Sequence, residues 1–155
     1  MPRVATAVAL VGFVLGLALL WHASTPARPV LVADPVRTPG VVNPEVTQAT
    51  IGETICTSGW TRTIRPPVSY TNELKIRQMR EYGVGGSPSD YQEDHLISLE
   101  MGGHPTDPRN LWPEPYPRAS EVDRIENEIN DEICAGKITL AEGQRRESEL
   151  KHRSG

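Results

Sequence analysis

The apolar and polar positions of the chain fall into three unlike stretches. From Val4 to Trp21 the residues are apolar, with Thr6 the only clearly polar one and Arg3 just ahead, the order of a charged leader and an apolar run. That length suits a secretory signal peptide or, slightly short of the roughly 20 residues a bilayer asks for, a membrane anchor. Residues 1–25 are therefore expected to be one or the other, an apolar helix outside the folded domain. Residues 26–44 hold Pro26, Pro29, Pro35, Pro39 and Pro44 with little apolar period, the composition of an extended spacer. The folded domain is expected over 45–155.

Within that domain the pattern predicts a mixture of helices and short strands. The opening EVTQATIGETIC predicts a short helix or turn, and Pro66 and Pro67 end an extended stretch that follows Gly59. Thr71 is a suitable N-cap for a helix through Tyr82, with Gly83 just past its end. Tyr91–Glu100 and Asn110–Pro115 read as two strands separated by Gly102-Gly103 and an irregular loop. Val122, Ile125, Ile129 and Ile133 form a one-sided stripe, predicting a helix from about Ser120 to Cys134. Thr139 opens a last helix, expected to be exposed and frayed at its end. The fold class is α+β.

Composition adds two constraints. With Phe13 and Trp21 in the leader, only six of the eight aromatic residues remain for the domain, a poor core that calls for a staple. Cys56 and Cys134, an even pair in an exported chain, supply one as a disulfide across 78 residues. The net charge of −4 excludes a basic coat over the whole chain. Arg62, Arg65, Lys75, Arg77 and Arg80 nevertheless cluster in the first half, as either a solvated face or a nucleic-acid-binding patch. From Glu93 onward acidic residues outnumber basic ones 14 to 8, so a polyanion would be received there only with a cation among the carboxylates. The spacings of a Cys2His2 zinc site are missing. His104 reads as an exposed loop residue, and Trp60 and Trp112 as core or lid.

The stretch between the two halves carries the chemistry. Asp94-His95 is followed by Leu96, Ile97, Ser98, Leu99, Gly102-Gly103 and Asn110-Leu111, with 15 residues from His95 to Asn110. This resembles the HNH, or ββα-metal, nuclease motif. The wider pattern, ICxxGW, RPP, DHLIxLExGG, NLWPEPY and a helix containing a Cys, is similar to a group of small exported proteins of actinobacterial type over about residues 43–150. The resemblance implies a ββα-metal centre with flanking helices and metal-dependent hydrolysis of DNA or RNA phosphodiesters, by an endonuclease outside the cytoplasm.

By that resemblance His95 is the general base, Asp94 a metal ligand and Asn110 a support that bonds across the loop to aim His95. The cation implied is magnesium or manganese more than zinc, because its ligands are oxygens. Acidic neighbours are expected to raise the imidazole midpoint. The chain departs from the family at the helix start, where Ser120, Glu121, Val122 and Asp123 offer neither His nor Lys. Glu121 is the expected further ligand, with Asp123 the other candidate. Ser98 stands where the family has Pro. Neighbours on a strand also face opposite ways, so Asp94 and His95 share a site only where the strand ends or bulges. The competing reading is a ββα scaffold without catalysis, acting as an envelope or interaction module.

Overall fold

A computed structural model describes residues 30–153. The apolar run 4–21 lies outside them, and among the described residues no helix is long and apolar enough to cross a membrane. Six elements follow in order: α1 (Trp60–Ile64), α2 (Val68–Glu81), β1 (Tyr91–His95), β2 (Leu111–Pro115), α3 (Arg118–Cys134) and α4 (Leu140–His152). The architecture is a small α+β fold. Its two strands pair antiparallel with Gln92 opposite Glu114, Asp94 opposite Trp112 and His95 opposite Leu111. Opposed residues share a face. Gln92, Asp94, Trp112 and Glu114 therefore face α3 and α4, while Glu93 and His95 lie on the side of α2.

The apolar stripe of α3 does what its spacing predicts. Ile129 and Ile133 enter a core with Val46, Ile55, Ile97, Met101 and Leu140, against which Ile125 and Trp60 also pack. A second cluster gathers Ala33, Leu96 and the fully buried Trp112, with Leu31 and Tyr82 beside it. Gly143 lets α4 approach α3, since a Cβ there would sit 2.4 Å from Ile133 Cδ1. The disulfide Cys56–Cys134 joins the segment before α1 to the end of α3, with Cα atoms 5.5 Å apart.

Five expectations need correction. The stretch 30–44 is not a free spacer: Ala33 and Thr38 are fully buried, Ala33 N–H donates to the Lys151 carbonyl, and Val42 bridges Gly103. Its prolines limit regular structure without preventing packing. The first strand stops at His95 and not at Glu100, because Asn110 takes over the backbone of Ile97 and a 3-10 turn follows at Leu99–Met101. Helix α1 forms in a stretch expected to be extended, and α2 starts at Val68, ahead of Thr71. Finally α4 is not frayed at its end: Glu147 and Lys151 have no exposed surface.

Candidate active site

Asn110 is the knot at the closed end of the hairpin. Fully buried, it accepts from Ile97 N–H at 3.0 Å and Val41 N–H at 3.3 Å, and donates to the carbonyls of Ile97 and His104 at 3.0 Å each. Gly103 is required beside it, since a Cβ there would stand 1.7 Å from the Ile97 carbonyl oxygen. His104, half-buried, accepts from the N–H groups of Thr106 and Asp107 through Nδ1. The loop after the double glycine is thus held from both ends.

That loop orients His95. Nε2 lies 3.0 Å from the Pro105 carbonyl, which can only accept, so Nε2 carries the proton and Nδ1 is the basic nitrogen. Burial pushes the imidazole below its usual value, outweighing the upward pull of the Pro105 hydrogen bond and of Asp94. The expected rise from acidic neighbours is corrected: desolvation wins, and the ring is neutral at pH 7. His95 lines two adjoining clefts, one of about 330 Å³ shared with Asp94, Asp123 and Glu126, the other of about 370 Å³ shared with Lys75 and Glu93. Asp94 and His95 therefore meet at the first cleft although they are strand neighbours, because β1 ends there.

The third acid is not Glu121. That side chain is exposed and lines a groove with Tyr116, Val122 and Ile125, away from Asp94. Two and five residues on, Asp123 and Glu126 instead place carboxylate oxygens within 4.8 Å of one another and of Asp94. Gln92 Nε2 donates to Asp123 at 3.2 Å and to Asp94 at 3.4 Å. Ser98, 5 % exposed, lines the same cleft, and its Oγ is out of solvent without a hydrogen-bond partner. An oxygen-only donor set with an unspent hydroxyl suits a hard divalent cation.

A lysine is already there. Lys151 Nζ donates to Asp94 Oδ2 at 2.7 Å, to Glu126, and to the His95 carbonyl, with Glu147 Oε1 at 3.2 Å. Burial pulls the Lys151 ammonium down, but Asp94, Glu147 and Glu126 outweigh it and hold it charged. Burial would raise Asp94, yet the Lys151 charge and hydrogen bonds from Glu114 and Lys151 keep it below the ordinary carboxylate value. Glu114 is pushed up to about 9, first by burial and then by Asp94. Its Oε2 is out of solvent without a hydrogen-bond partner, while Oε1 pairs with Arg118. Glu126 is raised in the same way, by burial first.

The basic cluster divides. Arg65 lines both clefts, and Lys75 lines the second while donating to the Tyr91 carbonyl at 3.0 Å. Arg62, Arg77 and Arg80 are exposed and lie outside both clefts. Glu126, Glu147 and Lys151 were missed by sequence reasoning. Asp123 and Glu126 at i,i+3, and Glu147 and Lys151 at i,i+4, are the spacings that bring side chains together on one helix face, but such spacings are common on solvated faces too. Comparison of the chain with protein-family models, curated proteins and solved structures finds no match in any of them.

Proposed function

We propose that the domain is a metal-dependent phosphodiesterase acting on DNA or RNA, outside the cytoplasm. The observation that carries this reading is a neutral, oriented imidazole at one cleft with three convergent carboxylates. Asp94, Asp123 and Glu126 would hold magnesium or manganese, and a divalent ion so held supplies charge stabilisation to the phosphate. His95 Nδ1 takes a proton from water while the water oxygen bonds to phosphorus. The phosphorus–oxygen bond to the leaving nucleoside breaks with its electron pair, and that oxygen is protonated from solvent. Arg65, which lines both clefts, would meet the phosphate chain. The hairpin followed by α3 is consistent with the ββα-metal reading. The disulfide favours an oxidising compartment, in keeping with a leader that either exports the domain or tethers it to the outer face of the cytoplasmic membrane.

One observation favours the scaffold reading instead: Lys151 already neutralises Asp94 and Glu126. Hydrolysis of single- and double-stranded DNA, RNA and bis(p-nitrophenyl) phosphate with magnesium or manganese distinguishes the two. The hydrolase reading expects cleavage that EDTA abolishes. A disulfide-intact chain that binds neither ion and cuts none of these substrates decides for the scaffold.

A further inference from the structure

Lys151 stands in a cage of four oxygens, one each from Asp94, Glu126, Glu147 and the His95 carbonyl. An ammonium has only three N–H donors. Carboxylate and carbonyl oxygens in that number are also the donors that magnesium, calcium and manganese take. The cage is built to hold its shape, because Ser98 N–H donates to both oxygens of Glu147 at 2.9 and 3.0 Å. Two of its carboxylates, Asp94 and Glu126, also belong to the group that converges with Asp123. A carboxylate has two oxygens, so each can serve a cation on either side.

We propose that Lys151 is a tethered cation beside the divalent-ion position, filling a cage that takes a second divalent ion when the lysine is removed. The lysine therefore limits the centre to one exchangeable ion. It is also a positioning residue, since one ammonium grips the side chain of Asp94 and the backbone of His95 and so fixes ligand and base together. The charges placed around it explain why a lysine is tolerated without any exposed surface. This inference rests on the hydrolase reading only for the ion expected in the wild type.

The test counts manganese ions on the full-length, disulfide-oxidised chain, from the electron paramagnetic resonance of free Mn²⁺, in wild type and Lys151→Ala. One ion in the wild type and two in the variant is the expected result. One in each, or two in the wild type, overturns the tethered-cation proposal and leaves the hydrolase reading standing. None in the wild type and one in the variant keeps the cage and removes the hydrolase, while none in either removes both. If Lys151→Ala is unfolded in metal-free buffer, circular dichroism should report refolding as manganese is added, with the same count of two. A variant that stays unfolded at saturating manganese also overturns the proposal, because the cage then cannot exchange its lysine for an ion.

Discussion

Replacing Asn110 by alanine should damage stability and, on the hydrolase reading, catalysis together. The substitution removes four hydrogen bonds and strands the N–H and C=O of Ile97, the carbonyl of His104 and the N–H of Val41. Val41 is only partly buried and water can replace its partner, so three groups carry the cost. At about 1 to 3 kcal/mol for each buried group left unpaired, with some relief from a water entering the space, the expected loss is about 3 to 5 kcal/mol. For a slope of ~2 kcal/mol/M this moves the urea midpoint by about 2 M. Trp112 fluorescence and far-ultraviolet circular dichroism should report the same shift. The His104 carbonyl anchors the turn whose next residue, Pro105, aims His95, so phosphodiester hydrolysis by the folded variant should lose kcat with little change in KM. Asn110→Asp should also be impaired, because its carboxylate cannot donate to the two carbonyls. A loss below about 1 kcal/mol with an unchanged kcat would refute the account of Asn110 as the knot of the hairpin.

Three further outcomes are expected. His95→Ala should lower the hydrolysis rate about 100- to 10,000-fold and resist rescue by added manganese, and the wild-type rate should rise with pH through a midpoint below 6.5; a midpoint above that value would contradict the burial argument. Replacing Cys56 and Cys134 by serine opens a 78-residue loop, for which chain entropy gives an upper figure of about 4.5 kcal/mol, and urea unfolding that moves by less than about 1 kcal/mol would show that the cross-link constrains little. Burial pushes Glu93 up to about 8 from 4.5, so the folded chain keeps a proton that the unfolded chain releases, and stability should fall as pH rises through that interval. Glu93→Gln should flatten this fall in urea titrations at about pH 5 and pH 9, and an identical slope in both proteins would rule Glu93 out as its source.

Hydrophobic spacing located α3 because its inward positions Val122, Ile129 and Ile133 are apolar, whereas α2 and α4 were legible from the residues at their ends and α1 escaped. The turn after His95 was legible for a different reason, since Gly102 adopts φ +73° and Gly103 has no room for a Cβ. What escaped was the ionic part of the core. Glu126, Glu147 and Lys151 have the lettering of a water-facing helix surface, and only the tertiary arrangement turns them toward Asp94. The misplacement of Glu121 has the same origin: the first turn of α3 points its acid into the groove with Tyr116, and the carboxylates that meet Asp94 come later. The stretch 26–44 reads as a spacer because packing in its described part uses Ala33 and Thr38, small side chains that leave no periodic mark.

The position of Lys151 along the chain has a consequence for how the molecule matures. Asp94, Glu126 and Glu147 all precede it, so during synthesis or vectorial transport three acids bound for the interior must wait for a counter-charge that arrives after them. Until then the hairpin and α3 can associate only with those carboxylates protonated, hydrated or bridged by an ion from the surroundings. The docking of α4 is then the step that dehydrates the centre, and the neighbouring contacts of Lys151 and His152 with Ala33 and Thr38 fasten the beginning of the described fold to its last helix in the same event. Ribosome-released fragments ending before residue 151 would present an open, acidic cleft, and their affinity for calcium or magnesium would track the hydration of that unfinished interior.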